Sequence, residues 1–167
     1  MNKLIYKGKV FEVRSEELII NNKKILRDVI YHPGAVAILV KKNNQFLFIK
    51  QYRHPSREKL IEIPAGTLEE NETPIETAKR ELLEEAGIKA NELTFLIKFF
   101  VAPGYCSEII HLFYTENFEI TKNNPEDEED IEIIWIDIES AYEMIKNNEI
   151  KDAKTIIALT YYRCFFG

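Results

Sequence analysis

The sequence predicts an α+β fold: a mixed central sheet sandwiched between helices (an α/β/α sandwich), with an additional antiparallel sheet at the N-terminus. Three observations predict it. Apolar runs of strand length lie on both sides of one internal helix, two further helices end the chain, and the first third alternates apolar runs with polar turns. Helices can cover both faces of such a central sheet, while the first strands form a smaller sheet of their own.

Strand-length segments are bounded by turn residues along most of the chain. Asn21 and Asn22 are typical of a two-residue hairpin turn, and residues 42–44 predict a second hairpin. The predicted strands are 3–7, 11–14, 17–20, 24–32, 35–41, 45–52, 60–63, 93–101, 109–118 and 131–136.

Between residues 73 and 86 the apolar residues recur at helical spacing instead. Thr73 is the predicted N-cap, Pro74 takes the first helical position, Glu76 completes a capping box, and Gly87 ends the helix. Two more helices are predicted at 139–147 and 153–165, the second capped by Asp152. The stripe of the first helix that is predicted to pack inward consists of Ile75, Ala78, Leu82 and Ala86.

Length and composition indicate a folded protein with one main domain. Of 167 residues, 46% are hydrophobic and 30% charged, which excludes intrinsic disorder. We divide the chain into N-terminal strands at 1–32 and a main domain at 33–167. Cys106 and Cys164 match no metal-binding spacing, and we expect reduced thiols in a cytoplasmic protein.

The charge balance restricts the partners of the protein. Asp and Glu outnumber Lys and Arg by 28 to 22, which gives a net charge of −6. We therefore expect neither nucleic acid nor a membrane as a partner. An anionic substrate would need a cation between itself and the protein.

Three glutamates on the internal helix suggest where that cation binds. Glu81, Glu84 and Glu85 are spaced i, i+3, i+4 and share one helix face. Like charges at this spacing are unfavourable by about 0.2–0.5 kcal/mol per pair, and acids near a helix C-terminus oppose the helix dipole. One interpretation is a solvated acidic face. The other is a Mg²⁺ site, because Mg²⁺ prefers a few carboxylates together with water and phosphate oxygens.

The residues around these acids resemble a known family. Gly66, Glu72 and the segment 80–88 match, at every defined position, the 23-residue motif of the Nudix hydrolases. The resemblance implies the Nudix fold and metal-dependent attack of water on the pyrophosphate of a nucleoside diphosphate conjugate. The cofactor it implies is Mg²⁺, with Mn²⁺ as an alternative.

The same resemblance assigns roles within the motif. Glu81 and Glu85 are the principal metal ligands it implies, and Glu84 is a third ligand or a partner in the outer shell. The carbonyl of Ala65 stands where the family often has a further ligand. Arg80 is expected to orient the catalytic acids, including Glu84, through charge-assisted hydrogen bonds.

Outside the motif, residues 51–53, 62–66 and 102–114 resemble the ADP-ribose pyrophosphatase branch of the family. That branch implies cleavage of ADP-ribose to AMP and ribose 5-phosphate by a homodimer formed through the N-terminal strands. The substrate-binding candidates are Arg53, Arg57, Glu62, Pro103 and Gly104. Each has an alternative: the arginines as surface ion-pair partners, Glu62 as a buried, paired carboxylate, and Pro103-Gly104 as only a turn.

The acidic run 126–130 has two interpretations. Such a run is ordinarily a solvated loop, but in the resembling branch a loop at this point supplies the general base. Glu129 is our first candidate for the base and Glu128 the second.

Two other functions stay open. The enzyme could hydrolyse another ADP-sugar or nucleoside diphosphate conjugate. Alternatively, the protein could be a Nudix-fold sensor that binds such a ligand without cutting it. The presence of all three motif glutamates argues against the sensor, because such modules typically lose one or more of them.

Overall fold

The N-terminal residues form a three-stranded antiparallel sheet that is separate from the main sheet. Its strands are β1 (Asn2–Lys7), β2 (Glu12–Ile20) and β3 (Lys23–Tyr31), in the order β1-β2-β3. Asn21 and Asn22 both have positive φ, 51° and 59°, as the predicted two-residue hairpin requires. The structure, a computed structural model, describes residues 2–121 and 131–166.

A mixed sheet forms the centre of the described chain. Its central strands lie in the order β12 (Ile131–Asp137), β5 (Gln45–Arg53), β4 (Ala35–Lys42), β10 (Ile109–Thr115) and β9 (Thr94–Phe100). Strand β6 (Glu58–Glu62) pairs with β5, and β7 (Ala65–Thr67) pairs with β4. Strands β4 and β10 are parallel, and the other paired strands of this sheet are antiparallel. Two further strands, β8 (Ile88–Ala90) and β11 (Phe118–Ile120), pair with each other in a separate two-stranded sheet.

Helices cover both faces of this sheet, which confirms the predicted sandwich. They are α1 (Pro74–Ala86), α2 (Ile138–Lys146) and α3 (Ala153–Phe165). Strand β4 shows the arrangement most directly, because successive side chains of a strand point to opposite faces. Ala35, Ala37 and Leu39 pack in the cluster that contains Ala141 of α2 and Leu159 of α3. The alternate residues Val36, Ile38 and Val40 pack with Ala78, Leu82 and Ala86 of α1.

The ends of α1 follow the predicted capping signals. The Glu76 carboxylate accepts a hydrogen bond from the Thr73 backbone N–H at 2.8 Å, and Pro74 occupies the first position of the helix. At the other end Gly87 has φ 62° and donates its N–H to the carbonyl of Leu83 at 3.0 Å. These contacts fix where the loop before the helix and the glutamates near its end lie.

Several details differ from the sequence-based prediction. Ile75 is 41% exposed, and the buried positions of α1 begin at Thr77, so Ile75 does not belong to the core stripe. Segments 11–14 and 17–20 form the single strand β2, because Ser15 pairs with Asp28 of β3 without interruption. Segment 109–118 is divided by a turn at residues 116–117, and the three-residue strands β7 and β8 were too short to show a period.

In the part of the chain that the structure describes, α1, α2 and α3 contain 13, 9 and 13 residues, and none of them has the length and apolar content needed to span a bilayer.

Candidate active site

The face of α1 that carries the glutamates forms one wall of a cavity of about 1050 Å³, which we call the acid cleft. Gly66 of β7 lies against this wall. A Cβ placed on Gly66 would stand 1.9 Å from the carboxyl carbon of Glu81, so this position requires glycine for the carboxylate to lie where it does. The acidic side chains that line the cleft are Glu69, Glu70, Glu72, Glu81, Glu84 and Glu85.

Arg80 holds the acids of the cleft in place. Its Nε and Nη2 donate to the two carboxylate oxygens of Glu72, both at 2.9 Å. Its Nη1 donates to Glu81 at 2.8 Å and to Glu84 at 3.1 Å. A planar guanidinium can bridge several carboxylates in this way, whereas a lysine ammonium lacks the fixed fork. Arg80 thus joins the loop before α1 to two of the predicted metal ligands.

The pairing of Arg80 with Glu72 changes the acidity of both groups. Hydrogen bonds from Arg80, supported by one from Thr77 at 2.8 Å, lower the pKa of Glu72 to about 2. The hydrogen bonds to Glu72 raise the pKa of Arg80 above its ordinary value. Both groups therefore stay charged throughout the physiological range, and the bridge stays intact with them.

Glu85 is the most buried of the three motif glutamates. It is 3% exposed, and its Oε2 accepts a hydrogen bond from the backbone N–H of Ala65 at 2.9 Å. The side chains of Glu81 and Glu84 are 14% and 41% exposed. The structure thus brings Ala65, Glu81, Glu84 and Glu85 to one cleft. That these residues bind a metal ion stays a prediction.

Arg53 lies where the acid cleft meets a second cavity of about 340 Å³, which we call the side cleft, because Arg53 and residues 65–67 line both. Its Nε and Nη2 donate to the two oxygens of Glu62, both at 2.8 Å. Glu62 is 1% exposed, and Lys154 of α3 also donates to it. Burial alone would raise the pKa of Glu62, but hydrogen bonds from Arg53 and the charge of Lys154 outweigh it and lower the pKa.

This geometry bears on two predicted substrate contacts. The buried, paired state that was the alternative for Glu62 is the one the structure contains, and it fixes the Arg53 guanidinium between the two clefts. Direct contact of either residue with substrate stays a prediction.

The other predicted site residues either line neither cleft or fall outside the described residues. Arg57 is exposed, with φ 58°, in the turn between β5 and β6. Pro103 and Gly104 are exposed in the turn between β9 and β10. Of the described candidates, these three line neither cleft. Glu128 and Glu129 fall within residues 122–130, outside the described residues, so their role as base stays a prediction.

The structure adds residues that the sequence analysis missed. Lys154 and Asp152 line the side cleft, and Lys9 lines the acid cleft from the N-terminal sheet. One signal for Lys154 was present in the sequence. A lysine in the first turn of a helix opposes the helix dipole, so an acidic partner close in sequence is expected. Asp152 is that partner, at 3.0 Å, and Glu62 is a second one from a distant part of the sequence. No comparable local signal marks Lys9.

The chemistry of the cleft fits a hard divalent cation. Its potential donors are carboxylate oxygens, which suit Mg²⁺ or Mn²⁺ and lack the sulfur and imidazole ligands typical of zinc sites. Within residues 2–121 and 131–166, no three acidic, histidine or cysteine side chains already surround one point as a formed metal site. Gly66 leaves the Glu81 carboxylate room against β7, and Arg80 keeps Glu81 and Glu84 together.

Comparison with known proteins agrees with this geometry. The family model described as the NUDIX domain matches residues 30–159. The chain belongs to the Nudix family. A solved structure described as an ADP compounds hydrolase superposes with a TM-score of 0.85, covering 99% of this chain and 91% of that one. Since the two sequences are only 20% identical, this likeness confirms the Nudix fold alone.

Curated relatives cover most of this Nudix chain. The ADP-ribose pyrophosphatase of Bacillus subtilis (strain 168) is 38% identical over 94% of this chain and 87% of its own length. The methanol dehydrogenase activator of Bacillus methanolicus is 35% identical over the same shares. The GDP-mannose pyrophosphatase of Shigella flexneri is 33% identical over 77% of this chain and 72% of its own length.

Proposed function

We propose that the protein hydrolyses the pyrophosphate bond of ADP-ribose, releasing AMP and ribose 5-phosphate, with Mg²⁺ as the cofactor and Mn²⁺ as an alternative. The observation that carries this proposal is the 38% identity to the ADP-ribose pyrophosphatase of Bacillus subtilis over 94% of the chain. The acid cleft supports it, because it gathers the three motif glutamates in a space large enough for a nucleotide.

The chain's own residues supply binding and orientation. Glu81, Glu84 and Glu85 would hold the cation, with the Ala65 carbonyl as a further ligand. Such a cation would neutralise charge on the pyrophosphate and activate water. Arg80 holds Glu81 and Glu84 in one arrangement through its Nη1. Arg53, fixed by Glu62 through Nε and Nη2, is positioned to bind an anionic group between the clefts.

The general base and the remaining contacts are part of the same proposal. Glu129, or else Glu128, would take the proton from the attacking water. Glu62 acts on the substrate through Arg53, whereas Arg57, Pro103 and Gly104, which line neither cleft, would contact only a part of the substrate that extends beyond the clefts. We place the enzyme in the cytoplasm, in keeping with Cys106 and Cys164, both of which are free.

We also propose a homodimer formed through the N-terminal strands at 1–32. Large apolar side chains are exposed on this small sheet, including Ile19 at 70% and Leu26 at 65%. Exposed apolar area of this kind marks an interaction surface when it is contiguous. A second copy of the same sheet is the partner that we propose for it.

A substrate panel tests the proposed reaction. ADP-ribose, GDP-mannose, NADH, coenzyme A and a nucleoside triphosphate are incubated with and without Mg²⁺, and the products are separated and quantified by anion-exchange chromatography. We expect Mg²⁺-dependent cleavage of ADP-ribose to exceed that of the others. Glu85→Gln should reduce turnover at least about 100-fold, since it removes a charge from the metal site, whereas the exposed Glu92→Gln serves as the control.

The other outcomes distinguish the alternatives. Faster cleavage of GDP-mannose would favour the second candidate, which rests on the 33% identity to a GDP-mannose pyrophosphatase. Tight ADP-ribose binding without cleavage of any compound would indicate a sensor and contradict the proposed enzyme. Turnover by Glu85→Gln within a few-fold of the parent protein would show that Glu85 is not a metal ligand.

A further inference from the structure

The turn between β1 and β2 stands at the edge of the acid cleft. Lys9 and Val10 of this turn line the same cavity as Glu81 and Glu85. The backbone of the turn is closed by a hydrogen bond from the Gly8 N–H to the carbonyl of Phe11, at 2.9 Å. The N-terminal sheet therefore contributes part of the lining of the acid cleft.

Hydrogen bonds anchor this sheet to the main domain. The Ile30 N–H of β3 donates to the carbonyl of Tyr105 at 2.8 Å, and the Ser107 N–H donates to the carbonyl of Ile30 at 2.9 Å. The His32 N–H donates to the Ser107 hydroxyl at 3.0 Å. Because β2 pairs with β3 along its whole length, these bonds also fix the position of the β1–β2 turn.

The cationic side chains that line the acid cleft differ in whether they already form ion pairs with carboxylates of the protein. Arg53 is bound to Glu62 through two nitrogens, and Arg80 is bound to Glu72, Glu81 and Glu84. Lys9 is exposed and lines the cleft, and its ammonium group has no ion pair or hydrogen bond within the part of the chain that the structure describes. A cation without a partner can bind an anionic ligand without first losing an ion pair.

We propose that Lys9 binds phosphate oxygens of the nucleotide substrate, so that the N-terminal sheet takes part in substrate recognition in addition to any role in assembly. The proposal rests on the proposed function, since it assumes a nucleoside diphosphate conjugate in the acid cleft. The ammonium group supplies a mobile point charge where Arg53 and Arg80 are already committed to fixed carboxylates. Lys9 is therefore a binding residue, and its contribution lies in substrate affinity.

The test compares Lys9→Met with Lys7→Met. Lys7 lies on the same sheet, pairs with Glu12 at 3.3 Å and does not line the acid cleft, which makes it a matched control. We expect Lys9→Met to raise the KM for ADP-ribose at least about 10-fold, the lower limit for loss of a hydrogen bond to a charged group, with kcat within about twofold. Lys9→Arg should restore most of the affinity. Raising the salt concentration should weaken binding more in the parent protein than in Lys9→Met.

The outcomes separate this proposal from the one it rests on. Cleavage of ADP-ribose by the parent protein decides the proposed function before any variant is compared. If the parent cleaves another conjugate, the same variants are measured with that compound. If it cleaves none, ADP-ribose binding is measured directly by calorimetry. In each case an affinity of Lys9→Met equal to that of the parent or of Lys7→Met overturns the role of Lys9.

Discussion

The two sheets of this protein are built from similar strand-forming segments and reach opposite states of burial. Every residue of β4 from Ala35 to Val40 is buried, whereas every residue of β1 is exposed. The difference lies in what covers them. Strand β4 lies between α1 on one face and α2 and α3 on the other, while β1 belongs to a sheet without a helix packed on it among the described residues.

This contrast separates two tasks in the molecule. The covered sheet gives the glutamates of α1 and the β7 backbone a rigid support, because close-packed interiors resist displacement. The uncovered sheet retains exposed apolar side chains, of which Leu4, Ile5, Tyr6, Ile19, Ile20 and Leu26 are each at least 49% exposed. We infer that chemistry is fixed in the main domain, and that association and one wall of the cleft belong to the N-terminal sheet.

The largest effect is expected from Gly66→Ala, which changes the main domain alone. The new Cβ would lie 1.9 Å from the Glu81 carboxyl carbon, so the carboxylate must move away from β7. Turnover should fall at least about 100-fold. The carboxylate is the end of a flexible side chain, so the melting temperature should fall by no more than about 4 °C, corresponding to ~1 kcal/mol.

Steady-state kinetics and thermal unfolding by circular dichroism are measured on the same preparation of Gly66→Ala. Near-parent turnover would show that the position of Glu81 against Gly66 is not needed for catalysis. A large drop in the melting temperature would instead place the effect in the fold. The oligomeric state should be unchanged, since Gly66 lies outside the N-terminal sheet.

An intermediate effect is expected from Leu26→Glu, which changes the N-terminal sheet alone. Leu26 is 65% exposed on β3, and a charge there would be buried without a partner in the proposed dimer interface. We expect the dissociation constant of the dimer to rise at least about tenfold, equivalent to about 1.4 kcal/mol. Sedimentation equilibrium measures it against the 19.6 kDa mass of one chain.

The matched control for Leu26→Glu is Ile120→Glu, because Ile120 is 60% exposed but lies on β11 of the main domain. It should leave the dimer unchanged. A parent protein that sediments as a monomer would contradict the dimer proposal, and a Leu26→Glu variant that stays fully dimeric would move the interface away from this face of the sheet.

Local signals explain what could be predicted from the sequence. Helix α1 was predictable because its cap residues, its period and Gly87 all lie within fifteen consecutive positions, and the motif spacing identified Glu81, Glu84 and Glu85. The prediction that Ile75 packs in the core was wrong. Periodicity shows which side of a helix is apolar, but it does not show how far along the helix the sheet that covers this side extends. The exposed N-terminal strands were predictable as strands, although their burial was not, since burial depends on a covering layer.

Long-range contacts explain what could not be predicted. The carboxylate of Glu62 is shared by Arg53, nine positions away, and Lys154, 92 positions away. Only the folded sheet brings β5, β6 and the start of α3 together. Lys9 is positioned at the acid cleft by the pairing of β2 with β3 and by the hydrogen bonds of β3 to the main domain. No local sequence pattern predicts these contacts.

The smallest effect is expected in the pH dependence of the free energy of unfolding. One ion pair from each region can be compared, Arg80–Glu72 in the main domain and Arg14–Glu12 in the N-terminal sheet. Hydrogen bonds from Arg80 lower the pKa of Glu72 to about 2, and a hydrogen bond from Arg14 lowers that of Glu12 on β2. For a lowered carboxyl pKa, the stabilisation is fully present above the unfolded value of about 4.5 and is lost as the pH falls through the folded value. Glu72 should therefore make the free energy of unfolding fall between about pH 4.5 and 2.

Denaturant unfolding in the presence of a chelator, so that no metal contributes, measures this free energy at intervals from pH 6 to 2. Glu72→Gln should flatten the curve below pH 4.5, and Glu12→Gln should flatten it less. The reason is that Glu72 binds Arg80 through both oxygens and also accepts from Thr77. Glu12 contacts Arg14 through one oxygen and the exposed Lys7 through the other, at 3.3 Å, and solvent weakens both of these contacts. Equal flattening by the two variants would mean that the ion pair of the exposed sheet is as stabilising as the one in the loop before α1, and the contrast between the two regions would then not extend to their charges.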